Sequence, residues 1–214
     1  MRNTADYYQA WLNAYQVVKG INSSAKVQGP ESAGFSESYI ESFLLFCKAN
    51  NALPDVLSWH NLASGAPEDI EAESAAIVAW MSANGIKPMP LAVTEYAGGG
   101  ENDPVGYSPG QITAYIARLE RVSRESGNLF GLNSDWNYSG GDPNFIATLG
   151  NQADKATGSY PTGGWWVYNA YKDATGEAIS ETSSNTAVVE AFAAYDASMS
   201  RSEIILGDPV GGSS

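Results

Sequence analysis

The chain has 214 residues, 43% of them hydrophobic, which is enough to bury a sizeable core in one domain or one domain plus a fragment. A formal charge of −13 with only 11 Lys and Arg argues against binding a phosphate backbone, which needs clustered cations, and suits a neutral ligand such as a sugar. No apolar run approaches the roughly 18 residues needed to cross a bilayer, no basic-then-apolar leader opens the chain, and the single Cys47 permits no intrachain disulfide. Nucleic acid and membrane are therefore not expected partners, and the compartment stays open.

Residues 4–19 place Tyr8, Trp11, Leu12, Tyr15 and Val18 at helical spacing, so the chain opens on a helix with one apolar face. Ala25 to Gln28 reads as a short strand stopped by Gly29-Pro30. Ser36 then caps a helix reaching Asn50, with Tyr39, Phe43, Phe46 and Cys47 inward. Asp55 to Trp59 is a second strand, followed by a helix over 67–84 that buries Ile70, Ile77, Trp80 and Met81. Leu91 to Glu95 is a third strand. Its helix begins at Ser108-Pro109-Gly110-Gln111, where a Ser cap, a Pro at the first helical position and a Gln three residues after the cap form a capping box. Ile112, Tyr115, Ile116, Leu119 and Val122 make that helix's buried stripe. Asn128 to Leu132 is a fourth strand, and a helix near 163–174 carries Trp165, Trp166, Tyr168 and Tyr171.

The texture changes at Glu177. Val188 to Tyr195 and Glu203 to Leu206 read as two strands of a small β element, with a loose tail from Gly211. The expected fold is α/β: a partial, half TIM-type barrel of four parallel βα units over residues 1–176, and a small C-terminal β element over 177–214. A full barrel takes about 250 residues, so four units leave two sheet edges to be covered. A complementing half barrel or a second copy of the chain is the expected partner.

One histidine and one cysteine leave no H-E-x-x-H, no C-x-x-C and no zinc cluster. The chain contains no Walker loop and no G-x-G-x-x-G, so no cofactor is expected. Asp135 to Gly140 imitates the start of a calcium loop, but Ile146 stands where a bidentate Glu belongs, so the segment reads as a polar turn. Carboxylates, amides and aromatics at strand ends remain. Glu95 ends the third strand; Trp59, His60 and Asn61 end the second; Glu31 follows the first; Asn133, Asp135 and Trp136 follow the fourth. If the strands are parallel neighbours, all four groups meet at one rim, with the equipment of a carbohydrate site.

The order Gly29-Pro30, then Asp55 to His60 as D-x-x-S-x-H, then Thr94-Glu95-Tyr96 resembles the second half of the clan A glycoside hydrolase barrel, especially the xylosidase-like family 39. The resemblance covers roughly residues 4–175, and residues 186–206 resemble the start of the β-sandwich that often follows such barrels. It implies that Glu95 is the nucleophile of a retaining mechanism, that His60 orients it or the sugar, and that Trp136 walls a subsite, with Trp59, Asn61, Tyr96, Asn133 and Asp135 as further substrate contacts. The family's acid/base is the Glu of an N-E pair that would fall before Met1, and Glu31 is the substitute expected within this chain. The expected function is hydrolysis of O-glycosidic bonds in a β-linked polysaccharide or oligosaccharide. The alternatives are a non-catalytic carbohydrate-binding or truncated relic domain, and a scaffold completed by a partner chain.

Overall fold

The computed structural model describes residues 4–62, 67–96, 108–126, 129–133, 143–144, 150–151, 163–180, 182–185 and 189–208. Helix α1 (Thr4–Ile21) buries Trp11 and half-buries Tyr7, Tyr8 and Tyr15, while Val18, expected on the same face, is exposed. The Trp11 indole meets the Phe43 ring edge-on at 5.0 Å and donates its N–H to the Ala52 carbonyl at 2.9 Å, so its one polar atom is satisfied.

Strand β1 (Gln28–Ser32) starts where the sequence suggests a strand should end. It runs through Gly29-Pro30, and Ala25 to Val27 lead into it. The reason is position: among the described residues β1 is an edge strand, paired only with its neighbour β2 (Val56–Asn61), and a proline without an N–H is tolerated on an edge. A side chain on Gly29 would meet the Trp11 ring at 2.5 Å, so only glycine lets α1 lie this close to β1.

Helix α2 (Glu37–Ala49) begins after Ser36 in extended conformation, although the Ser36 side chain makes no capping hydrogen bond. Its inward face is Ile40, Phe43, Leu44 and Cys47, with Tyr39 and Phe46 half-buried. Helix α3 (Asp69–Ala83) buries Ile70, Ile77 and Met81. Strand β3 (Leu91–Tyr96) follows, then α4 (Pro109–Ser126) and β4 (Leu129–Asn133). Ser108 accepts a hydrogen bond from the Gln111 N–H at 3.3 Å, as a capping serine does, and all five residues of the expected α4 stripe are buried. The four strands form one parallel sheet in the order β1-β2-β3-β4. The main core lies between this sheet and helices α1 to α4.

Two short strands, β5 (Pro143–Asn144) and β6 (Gly150–Asn151), pair antiparallel. Helix α5 (Gly163–Tyr171) stops short of the expected 174, ending in turns at Asp173 and Ala174. Beyond it lies an antiparallel sheet of β7 (Glu177–Ala178), β8 (Glu190–Asp196) and β9 (Arg201–Gly207). The two longer strands match expectation, and the two-residue β7 is additional.

This sheet is seated on α4. Phe192, Ala194 and Ile205 pack against Ile112, Ile116 and Ala117. A Cβ on Gly110 would fall 1.8 Å from the Asp208 carbonyl oxygen, so the first turn of α4 touches the chain after β9 backbone to backbone. Glu190, almost fully buried, is ion-paired with Arg118 and with Arg121, the latter at 3.1 Å; both arginines also pair with Glu71 of α3 at 2.6 Å. Two arginines and two glutamates thus neutralise one another where α3, α4 and β8 meet.

Candidate active site at the strand ends

Three side chains converge at the carboxyl ends of β1, β2 and β3. His60 and Glu95 are register partners on adjacent strands, and the His60 Nδ1 lies 3.4 Å from Glu95 Oε2. On its other side the His60 Nε2 lies 3.6 Å from Glu31 Oε2. One imidazole therefore separates two carboxylates, with its side chain 18% exposed and theirs 30% and 35%.

Irregular pairing produces this convergence. Pro30 pairs with Ser58 and Ser32 with Trp59, so Glu31 is an extra residue on β1. Trp59 pairs with Val93 and His60 with Glu95, so Thr94 is an extra residue on β3. Bulges of this kind re-aim side chains and concentrate near active sites. Glu31 also has φ of 56°, the left-handed region that a non-glycine residue occupies at a cost of about 1–2 kcal/mol.

The two carboxylates differ in what already holds them. Glu31 Oε1 accepts from the Gln28 amide at 2.6 Å, and Oε2 accepts from the Thr94 hydroxyl at 2.5 Å. The Tyr7 hydroxyl donates to the Pro30 carbonyl at 2.7 Å and so braces the backbone that carries Glu31. Glu95 Oε2, by contrast, is a buried oxygen with no hydrogen-bond partner among the described residues. A buried carboxylate oxygen without a donor keeps its lone pairs free for an incoming electrophile.

Of the residues read as substrate contacts, Trp59, Asn61 and Tyr96 face the helix layer instead of the rim. Trp59 is 0% exposed and donates its indole N–H to Glu73 of α3 at 3.0 Å. Asn61 donates to the same Glu73 oxygen at 3.5 Å and accepts from the Tyr115 hydroxyl of α4 at 2.8 Å. The Tyr96 ring lies 4.9 Å from that of Tyr115, and its hydroxyl shares a hydrogen bond with Tyr168 of α5 at 2.7 Å. Their neighbours His60 and Glu95 face the rim. Asn133 ends β4 in register with Tyr96. Asp135, Trp136 and the rest of the calcium-like turn up to Gly140, together with Ile146, lie outside the described residues. Trp165 and Trp166 meet edge-on at 4.7 Å, with Trp166 exposed.

Sequence reasoning missed Gln28, Thr94 and Glu73. Thr94 was adjacent to a residue already singled out. Glu73 carried no signal, since it sits within a helical run whose partners are 12 and 14 residues away. Burial pushes its carboxyl up to about 6 and the negative charge of Asp69 adds to that, opposed by the hydrogen bonds from Trp59 and Asn61.

No protein-family model matches the chain. Among curated proteins it is 24% identical over 194 residues to a 3-O-α-D-galactosyl-α-L-arabinofuranosidase of Bifidobacterium longum subsp. longum, which takes in 89% of this chain and 16% of that protein. It is 25% identical over 195 residues to a 3-O-β-L-arabinopyranosyl-α-L-arabinofuranosidase of Bifidobacterium pseudocatenulatum, covering 89% of this chain and 18% of that one. Among solved structures, N2152 from Neocallimastix frontalis superposes with a TM-score of 0.69 at 23% identity, over 94% of this chain and 46% of that one. A GH39 β-xylosidase from Caulobacter crescentus gives 0.64 at 20% identity, over 91% and 42%. A GH39 enzyme from Xanthomonas axonopodis pv. citri gives 0.67 at 18% identity, over 91% and 40%.

The chain thus has an α/β fold similar to part of the family 39 glycoside hydrolase structures, and its curated relatives are glycoside hydrolases. It spans less than half the length of the matched structures and less than a fifth of the curated relatives.

Proposed function

We propose that this chain carries the nucleophile of a glycoside hydrolase and that Glu95 is that nucleophile. The observation that carries the reading is the Glu95 oxygen, which has no hydrogen bond among the described residues, beside His60 at the carboxyl end of a central parallel strand. In a retaining mechanism Glu95 attacks the anomeric carbon as the glycosidic C–O bond breaks, a protonated acid delivers its proton to the leaving oxygen, and water then releases the sugar from the glycosyl ester. His60 holds Glu95 in its attacking position. Glu31 is the acid candidate within the chain: its protonated form donates to the leaving group once the Thr94 hydroxyl releases it and donates to its other acceptor, the Trp59 carbonyl. A second carboxyl serves retention at about 5–5.5 Å from the nucleophile and inversion at about 6.5–9.5 Å.

The substrate class is a β-linked or arabinofuranose-bearing polysaccharide or oligosaccharide, supported by what the relatives' names state for them. The four strands, each followed in sequence by helical chain, are half of an eight-stranded barrel over residues 1–176. Its β1 and β4 edges are closed by a complementing half or by a second copy, and the β element over 177–214 braces α4. A monomeric mass by light scattering with an intact fold would count against closure by self-association.

The test is turnover of aryl β-D-xylosides and aryl α-L-arabinofuranosides. Glu95→Ala abolishes it, and Glu31→Gln lowers it by about 10²–10⁴-fold, the usual contribution of general acid catalysis. Turnover retained by Glu95→Ala removes the nucleophile, and an unaltered rate in Glu31→Gln removes the acid. A second reading follows from the chain's partial coverage of its structural neighbours: a carbohydrate-binding relic, marked by calorimetric sugar binding without turnover.

A further inference from the structure

We infer that Glu73 is a positioning residue, a clamp on α3 that grips both neighbours of His60 and so holds the imidazole between Glu31 and Glu95. The inference rests on the reading of Glu95 as nucleophile for its consequence, though not for its geometry.

The end of β2 is short of regular support. Its pairing with β3 slips between Trp59 and His60, and its pairing with β1 slips one step earlier, so ladder hydrogen bonds alone do not fix where the imidazole points. Trp59 and Asn61 flank His60 and face the opposite side. Both end on one carboxylate oxygen, Glu73 Oε2, at 3.0 and 3.5 Å. Alternating side chains on a strand make this geometry rigid: fixing i−1 and i+1 on the helix side fixes the direction of i on the rim side.

Glu73 is kept half-buried at the cost of charge desolvation, which the burial-raised carboxyl reports. The groups around it are Asp69 on its own helix, Trp59 and Asn61 from β2, and Tyr115 of α4 through Asn61. A leucine would fill a similar volume without that desolvation penalty but offers no acceptor, so a side-chain oxygen here answers the two donors of Trp59 and Asn61. Such a support, fixing a functional side chain through its neighbours, is what a preorganised site requires.

His60 is the sole histidine of the chain, so its ring Cε1–H gives one assignable NMR signal without turnover. Recorded at pH 8, Glu73→Leu shifts and broadens this signal. Glu73→Gln, whose amide oxygen still accepts from Trp59, leaves it in place, as does Ile77→Ala, which destabilises the same helix without touching the clamp. Trp59→Phe, which deletes the indole donor and shortens the ring system, shifts it in the same direction as Glu73→Leu and serves if that variant does not fold. With an active chain, Glu73→Leu lowers kcat at least tenfold with KM held. An unmoved His60 signal in a folded Glu73→Leu or Trp59→Phe chain overturns the clamp. That result is separate from failure of the nucleophile reading, which shows as turnover retained by Glu95→Ala with the NMR pattern intact.

Discussion

Glu190 offers the sharpest test of how the C-terminal sheet is attached. Its side chain is 1% exposed, and it faces Arg118 and Arg121, whose side chains are 10% and 16% exposed. Removing one partner of a buried pair costs about 3–5 kcal/mol, because the charge left behind is desolvated and uncompensated. Glu71 retains its bonds to both arginines at 2.6 Å, which places Glu190→Ala near the lower limit, about 3 kcal/mol. In a chain of this size each kcal/mol moves Tm by about 2–4 °C, so the expected drop is roughly 6–12 °C by circular dichroism. Glu190→Gln, which keeps the shape and one acceptor, should lose about 1.5–3 kcal/mol, the worth of a hydrogen bond to a charged group. The double variant Glu190→Gln with Arg121→Gln should lose less than the sum of the single changes. A loss below about 0.5 kcal/mol for Glu190→Ala, as for an exposed pair, would refute the claim that this quartet fixes β8 to α3 and α4.

Two further outcomes follow from the fold. Gly110→Ala drives a methyl into the Asp208 carbonyl and should destabilise by at least about 1–3 kcal/mol, measured as a lower urea midpoint; an unchanged midpoint would mean that the α4–β9 contact is not made. Glu73 has its folded-state carboxyl raised to about 6 from an ordinary 4.5, so its contribution to stability is fully present below pH 4.5 and is lost as pH rises through 6. Glu73→Gln should therefore be more stable than the parent at pH 8, by about 1 kcal/mol after allowance for solvent screening, with the gap closing below pH 4.5. A gap independent of pH would contradict the assignment.

The long helices and their buried stripes were legible because 3.6-residue spacing survives in α2, α3 and α4 whatever they pack against. Strand faces were less so. A strand covered on both sides has no period-two signature, and β2 buries Leu57, Ser58 and Trp59 in succession, so nothing in the sequence said that Trp59, Asn61 and Tyr96 turn toward the helices. The bulges hid the rest: one extra residue on β1 keeps a strand going through Gly29-Pro30 and swings Glu31 toward His60, which spacing alone does not reveal. Glu95 and His60 were legible because a carboxylate after an apolar run and a lone histidine after another both mark strand ends. The Glu73 clamp and the Glu190 quartet join residues 12 or more apart in sequence, with no motif to announce them.

The central claim is that Glu95 attacks the anomeric carbon. The measurement that tests it most directly is trapping with an activated 2-fluoro xyloside or arabinofuranoside, followed by peptide mass spectrometry, because such a sugar stalls at the covalent glycosyl ester. The chain, supplied with its complementing half where closure of the barrel requires one, should gain one sugar mass on the peptide carrying Glu95, and Glu95→Gln should gain none. An adduct on any other carboxylate, or an active protein that never forms one, would contradict the account.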